Sequence, residues 1–302
     1  MQKIDFFSQV RIGKPKQYEN MTVYPIFALN DGKVKYLTLD EALSKKLVKI
    51  TEVSEGGVVN ELKVENFADV PILMLDGEEL VGAKQNRTLN TTVLIKEKSE
   101  TFIPVSCVEQ GRWSYRSREF IKHQFIIPLQ VRAKKMSSVT ESLKARGGFR
   151  ARQEEVWDQV AYVLSSAGVR SKTYAIDDAY SAFEDKRSDY FNAFKYEEGQ
   201  NGIIVLINER IAGIDYVSLK SAYKVYHDGF IAGYVLSAVF EAEKGTNLKG
   251  YKTIDDLIAD FKNYNWQITK SVGLGDDIRF KNDDYACAGL IYQDEIIHLA
   301  IL

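Results

Sequence analysis

The sequence contains little cysteine, little proline and no long apolar run, and these shortages exclude several classes of protein. Only Cys107 and Cys287 occur in 302 residues, so no disulfide framework is indicated. The three histidines, His123, His227 and His298, are far apart in sequence and match no zinc motif, so we predict no metal site. No apolar run reaches the roughly 18 residues that span a bilayer, and the first residues lack the apolar core of a signal peptide. We therefore expect a cytoplasmic protein with no membrane partner.

A strong charge of either sign is also missing. The net charge is −2 and the pI is about 6.1, which argues against a nucleic-acid partner. No dinucleotide-binding, phosphate-loop, GxSxG or HExxH motif is present, so the cofactor is unknown. Hydrophobic residues make up 45% of the chain, enough to bury one large core or two moderate ones.

The pattern of apolar residues predicts an α+β fold. Short runs rich in Val, Ile, Thr and aromatic residues predict strands through residues 1–132, with a hairpin turn at 30–32. Thr38 and Glu41 have the spacing of a helix capping box. From about residue 150 to 265 the apolar residues recur with a helical period, which predicts helices. The residues after 265 again have the pattern of strands. We expect a β-rich N-terminal half, a helical middle and C-terminal β-hairpins.

These changes of pattern also suggest a domain organisation. Residues 1–132 form a β-rich region carrying the polar motif, and residues 153–302 form a helical region that closes with strands. Between them, residues 133–152 read as a basic, flexible connection, because the stretch contains Gly147-Gly148 and far more Lys and Arg than Glu. A solvated loop and an anion-binding loop are both open interpretations of this connection. A single integrated domain is the alternative organisation.

Polar side chains are concentrated in two patches of the β-rich region, at residues 76–90 and 107–115. Dense polar groups on loops held by strands are typical of ligand sites. The candidates are Asp76, Glu78, Glu79, Gln85, Asn86, Arg87, Glu109, Arg112 and Trp113. The sequence leaves open whether the two patches meet in space.

In the first patch, Asp76, Glu78 and Glu79 surround Gly77 directly after an apolar strand. Such carboxylates could hold a divalent cation or perform acid–base work. A hairpin turn decorated with charges explains them equally well. The stretch 85–87 adds Gln, Asn and Arg side chains, which suit a nucleotide or sugar, or else simply end a strand.

The second patch has functional and structural interpretations too. Glu109 and Arg112 could pair to hold a turn, while Trp113 could stack on a base or sugar. Cys107 ends an apolar run and is best read as a small buried hydrophobe, since no base is adjacent in sequence. His298 lies in an apolar strand and is best read as a core histidine.

Four stretches together resemble a known family. They are DGEELVGAKQNR at 76–87, IPVSCVEQGRW at 103–113, EVW at 155–157 and IHL at 297–299. In these stretches the chain is similar to the prokaryotic ARPP family, named for its association with ADP-ribosylglycohydrolases and rhodanese-phosphatase-type proteins. The resemblance covers most of the chain. It implies a link to NAD-derived or ADP-ribose metabolism by association, and it says nothing about mechanism.

The residue chemistry and the resemblance lead to one principal hypothesis. The protein binds, and in an enzymatic version processes, an NAD-derived or ADP-ribose-type nucleotide. The catalytic candidates, which would share acid and base roles, are Glu78, Glu79 and Glu109. The ligand-binding candidates are Asp76, Gln85, Asn86, Arg87, Arg112 and Trp113. The alternative is a non-catalytic sensor or protein-interaction module with a protein partner, because no nucleophile or metal motif is recognised.

Overall fold

A computed structural model of the chain describes residues 4–244 and 253–302. Within these ranges the chain forms seven α-helices and eighteen strands, besides a short 3-10 turn. The helices are α1 Leu39–Ser44, α2 Leu129–Lys144, α3 Gln153–Ser166, α4 Asp177–Ser181, α5 Glu184–Ala193, α6 Lys220–Lys244 and α7 Ile254–Phe261. The strands are β1 Val10–Ile12, β2 Lys16–Tyr18, β3 Met21–Ala28, β4 Leu37–Thr38, β5 Val48–Glu52, β6 Glu61–Asn66, β7 Ile72–Met74, β8 Glu78–Gly82, β9 Arg87–Leu89, β10 Val93–Ile95, β11 Ser99–Cys107, β12 Phe120–Ile126, β13 Gly202–Ile207, β14 Arg210–Val217, β15 Gln267–Lys270, β16 Asp276–Lys281, β17 Ala286–Tyr292 and β18 Glu295–Ile301.

The largest sheet has nine strands and joins distant parts of the sequence. Its order is β1-β3-β13-β14-β18-β17-β16-β15, and β2 adds to β3. Strand β3 pairs with β13 in antiparallel register, for example Pro25 opposite Ile203. The predicted N-terminal region, residues 1–132, and the predicted C-terminal region, residues 153–302, therefore both contribute strands to one sheet.

Side chains of this sheet alternate between two cores. On β13, Ile203 and Val205 pack in a core with α6, while Ile204 packs on the other face with Leu257 and Phe261 of α7. Successive residues of a strand point to opposite faces, and a strand buried on both faces is apolar throughout. The apolar run in β13 is thus explained by helices on both sides.

A six-stranded sheet carries most of the polar motif. Its strand order is β12-β8-β9-β11-β6-β5. Strands β4, β7 and β10, which lie between its strands along the chain, form a separate three-stranded sheet in the order β10-β7-β4. Strands β8, β9 and the end of β11 contain or flank both polar patches, so the sheet sets the relative position of the patches.

The predicted fold class is confirmed: strands dominate the N-terminal half, helices the middle, and hairpins close the chain. The capping box is present, since the Glu41 N–H donates to Thr38 Oγ1 at 3.2 Å and the Thr38 N–H donates to Glu41 Oε2 at 2.8 Å. The hairpin predicted at 30–32 is wrong, because β4 pairs in parallel with β7 and not with β3. Glu295 instead holds the segment after that turn by accepting the N–H of Lys33 at 2.8 Å.

The flexible connection predicted at 133–152 is also wrong over most of its length. Residues 129–144 form helix α2, which packs against α3, α6, β16 and β17. Arg132 and Lys135 are 2% and 0% exposed, and Met136, Val139 and Leu143 continue the same buried face. The sequence suggested a solvated loop because Arg132 and Lys135 have no acid nearby in sequence. Their partners, Asp215 and Asp76, lie far away along the chain.

In the described ranges, no helix combines the length and the apolar character that crossing a bilayer requires.

Candidate functional site

The two polar patches meet in space. Strand β9 pairs with the end of β11 so that Arg87 lies opposite Cys107, which brings the residues just before and after them together. The Asn86 N–H donates to Glu109 Oε2 at 3.1 Å, and Gln85 Nε2 donates to the Glu109 carbonyl oxygen. The resulting buried set of Glu79, Asn86, Glu109 and Arg112 is called the polar network below.

Arg112 is the clamp of this network. Its Nε donates to both carboxylate oxygens of Glu109, at 2.9 and 3.0 Å, and its Nη2 donates to Glu109 Oε2 at 2.7 Å. Its Nη1 donates to the carbonyl oxygens of Ala83 and Ser114, both at 2.8 Å, and Nη2 reaches the Asn86 side-chain oxygen at 3.1 Å. Because these bonds use every donor group of the guanidinium, Arg112 holds the turn and has no donor left for a phosphate.

The clamp also controls the charge of Glu109. Burial raises the pKa of this carboxyl, but the hydrogen bonds from Arg112 and from the Asn86 N–H outweigh burial, and the pKa falls below its ordinary value. Glu109 is therefore an ionised carboxylate tied to a cation. It is a structural acid of the network more than a proton donor.

Arg87 is buried beneath Trp113. The guanidinium lies 5.4 Å from the Trp113 ring centroid, and its Nη1 donates to Gln85 Oε1 at 2.7 Å. Arg87 is 0% exposed, whereas Trp113 is 47% exposed. The ammonium of Lys84 lies 5.5 Å from the same ring. Trp113 therefore covers a buried cation and also presents an aromatic surface to solvent.

The carboxylates of Asp76, Glu78 and Glu79 do not converge, which corrects the idea that they form one cation or acid–base cluster. Asp76 pairs with Lys135, whereas Glu78 Oε2 accepts the Leu75 N–H at 2.7 Å. Glu79, the next residue of β8, points to the other face, as alternation along a strand requires. Because Glu78 and Glu79 face opposite sides, they cannot act together at one bond.

Glu79 faces His123 and Asp177, two residues that the sequence did not select. Glu79 Oε2 lies 3.8 Å from His123 Nδ1, and Asp177 Oδ1 lies 3.8 Å from His123 Nε2. Asn86 Nδ2 donates to both acids, to Asp177 Oδ2 at 3.1 Å and to Glu79 Oε1 at 3.4 Å. Burial, followed by the Asp177 charge, raises the pKa of Glu79 well above its ordinary value, and burial lowers the pKa of His123. Glu79, His123 and Asp177 are called the histidine–carboxylate cluster below.

No sequence signal could have found this cluster. Asp177 stands at the start of the short helix α4, 91 residues from Asn86 in sequence. It reaches the network because the Ile176 N–H donates to the Val108 carbonyl oxygen at 3.1 Å, which extends the end of β11 by a bridge between Glu109 and Ala175.

Two residues that the sequence assigned to the core lie in the interior. Cys107 is buried, and burial raises the pKa of its thiol to about 11, which leaves it inert near neutral pH. His298 is buried with Nδ1 2.9 Å from Thr92 Oγ1, and burial lowers its pKa well below the ordinary value.

An open cleft of about 800 Å³ lies next to the polar network. Its lining residues are Lys49, Thr51, Glu52, Ser54, Glu55, Tyr115, Arg116, Ser117, Arg118 and Glu119. Arg116 connects the cleft to the network, since its Nη2 lies 3.9 Å from Glu109 Oε1. The cleft thus combines an exposed aromatic ring, two exposed guanidinium groups and several carboxylates.

The fold and the site define an α+β protein in which two polar patches build one buried network beside an open cleft. The sequence profile of the ARG and Rhodanese-Phosphatase-superfamily-associated Protein domain, ARPP-1, matches residues 9–302, and the chain belongs to this family. The resemblance seen at 76–87 and 103–113 is therefore confirmed. No curated protein and no solved structure matches the chain significantly.

Proposed function

We propose that this protein binds an NAD-derived or ADP-ribose-type nucleotide in the cleft beside the polar network. The observation that carries the proposal is the cleft wall from Tyr115 to Arg118, which places an aromatic ring and two guanidinium groups together at the edge of the network. A volume of about 800 Å³ lies within the range of small-molecule sites. The family description, which names an association with ARG proteins, gives context to the choice of ligand.

Each part of such a nucleotide has a chemical counterpart in the cleft. The guanidinium groups of Arg116 and Arg118 suit a pyrophosphate, since they are exposed and can bind phosphate oxygens in pairs. The ring of Tyr115, 50% exposed, offers a stacking surface for the base. Glu55, an exposed residue of the cleft lining, can accept hydrogen bonds from ribose hydroxyls.

The phosphate contacts in this proposal are made by Arg116 and Arg118 and not by Arg87 and Arg112, the candidates chosen from the sequence. Arg112 is fully engaged by Glu109 and backbone carbonyls, and Arg87 lies buried under Trp113. The exposed arginines that follow Trp113 in sequence take over this role because their side chains reach the cleft.

Calorimetric titration of the purified protein with ADP-ribose, NAD and AMP tests this function. The titration is done in EDTA so that metal ions do not contribute. We expect at least one of these nucleotides to bind, and the double variant Arg116→Ala/Arg118→Ala to weaken its binding more than about 10-fold, which corresponds to about 1.4 kcal/mol. The matched control is Arg170→Ala, an exposed arginine outside the cleft, which should bind as the wild type does.

Two outcomes would contradict the proposal. One is a wild-type protein that binds none of the three nucleotides at millimolar concentration. The other is nucleotide binding that the double variant leaves unchanged, which would place the ligand elsewhere on the molecule.

A further inference from the structure

We propose that Glu79, His123 and Asp177 form a binding site for one divalent transition-metal ion, of the Mn²⁺ or Zn²⁺ type. Each residue offers one ligand atom, and the three atoms lie within 4.8 Å of one another. They come from β8, from β12 and from the start of α4. Two paired strands and the start of a helix hold ligand atoms more firmly than one flexible loop does.

Two buried oxygen atoms of the cluster have no hydrogen-bond partner. Asn86 holds one oxygen of each carboxylate, whereas Glu79 Oε2 and Asp177 Oδ1 are buried and unpartnered. Both unpartnered atoms face the His123 ring at 3.8 Å. A buried carboxylate oxygen without a donor is energetically costly. A bound cation removes this cost for both atoms at once.

In the described part of the structure, no side-chain cation pairs with these acids. Among the side chains that the structure describes, no Lys or Arg nitrogen lies within 4.0 Å of the carboxylate of Glu79 or of Asp177. Arg187 is close in sequence to the start of α4, but its Nη1 donates to the Tyr180 carbonyl oxygen at 3.3 Å and its guanidinium lies over the Phe125 ring. The two unpartnered carboxylate oxygens are therefore available as ligands of a metal ion.

The set of ligand atoms indicates which kind of ion fits. One imidazole nitrogen with two carboxylates suits Zn²⁺ or Mn²⁺, whereas Mg²⁺ and Ca²⁺ prefer oxygen ligands alone. The side chains of His123 and Asp177 are 23% and 25% exposed, while Glu79 is fully buried. An ion can thus enter from the His123 side and keep positions for water or a ligand, as ions in catalytic sites do.

The direct test is a titration of the EDTA-treated, dialysed full chain with Mn²⁺ and with Zn²⁺, in the absence of nucleotide. We expect one ion per chain, and a loss of affinity of at least about 10- to 100-fold in Glu79→Gln and in His123→Ala, since replacing even an outer partner of a metal ligand costs this much. Glu78→Gln is the matched control. It makes the same chemical change at an equally buried neighbour that faces the opposite side of β8, and it should bind the ion as the wild type does.

Paramagnetic broadening adds a readout that does not depend on the variants. The chain has only three histidines, so the ring signals can be assigned individually. Substoichiometric Mn²⁺ should broaden the His123 ring signals more than those of His227 and His298.

The proposal is overturned if the wild type binds neither ion below about 1 mM, or if His123→Ala binds as tightly as the wild type. Because the metal titration contains no nucleotide and the nucleotide titration contains EDTA, either proposal can fail without affecting the other.

Discussion

Two groups of acids in this protein differ in how their charge is compensated. In the interior, Asp76, Asp215 and Asp277 each contact a buried Lys or Arg. In the histidine–carboxylate cluster, Glu79 and Asp177 contact an imidazole and an amide, and no described Lys or Arg nitrogen lies within 4.0 Å of them. Both groups come from similar acidic residues, and the difference lies in the elements packed against them.

The interior acids are neutralised by cations from α2 and β16. Arg132 Nη2 lies 2.7 Å from Asp215 Oδ1, and Arg279 Nε lies 2.8 Å from Asp277 Oδ1. Lys135 contacts Asp76 and donates to the Leu89 carbonyl oxygen at 2.6 Å. Three acids and three bases therefore balance, and this layer needs no ligand. The cluster at Glu79 lacks such a balance among the described side chains, and for that reason we propose the metal site there.

Breaking an interior pair is expected to have the largest effect. Arg132→Met leaves Asp215 buried without its cation, which should lower the free energy of unfolding by about 3–5 kcal/mol. Urea denaturation measures this loss. The control is Lys134→Met on the same helix, where the side chain is 43% exposed and pairs with Glu155, and it should cost less than about 1 kcal/mol. Equal stability of the two variants would show that the interior layer is not held by charge.

Glu109 combines features of the two groups. It belongs to the polar network with Glu79, but like the interior acids it pairs with a cation, Arg112. Arg112→Lys keeps the charge but removes the planar fork that joins Glu109 to the backbone of the turn. We expect a loss of about 2–3 kcal/mol in unfolding free energy, because several charge-assisted hydrogen bonds disappear. Arg116→Lys, 3.9 Å from the same carboxylate and exposed, should change stability by about 0.5 kcal/mol or less. If Arg112→Lys is as stable as Arg116→Lys, Arg112 does not stabilise the turn.

Per pH unit, the smallest expected effect is a change in the pH dependence of stability at Glu78, where Lys122 lies 3.9 Å away. Burial raises the pKa of Glu78 to about 8, although Lys122 opposes the shift. Between the ordinary value of 4.5 and about 8, the folded protein keeps a proton that the unfolded chain has lost. The stabilisation is complete below pH 4.5 and is lost as the pH rises to about 8, by at most about 1.4 kcal/mol per pH unit.

Urea denaturation in metal-free buffer across this pH range measures the slope. Glu78→Gln should make the decline shallower than in the wild type, because the titrating group is gone. The same slope in both proteins would mean that Glu78 titrates normally in the folded state.

Elements defined by neighbouring residues could be predicted from the sequence. The capping box at Thr38, the end of α3 near Gly168 and the start of α7 at Thr253 each depend on residues three or four positions apart. Gly168 has φ +66°, a conformation that glycine adopts without strain. The region that carries the network was also predicted, because its polar residues interrupt apolar strands.

Partner choices across long distances could not be predicted. The sequence of helix α2 predicted a basic connection, because the acids that pair with its buried cations, Asp76 and Asp215, lie far away in sequence. Similarly, His123 and Asp177 join Glu79 only through the pairing of β8 with β12 and the bridge at Ala175. Electrostatic compensation depends on distance in space, which the order of residues does not contain.

The sequence alone thus determined the family, the α+β class and the polar stretches that form the buried network. Local hydrogen bonding and the alternation of apolar residues act between near neighbours and can be read directly from the order of residues. The tertiary structure alone decided which acids acquire a cation and which stay uncompensated. That outcome depends on which strands pair and which helices pack on them, and it separates the interior charge layer from the histidine–carboxylate cluster.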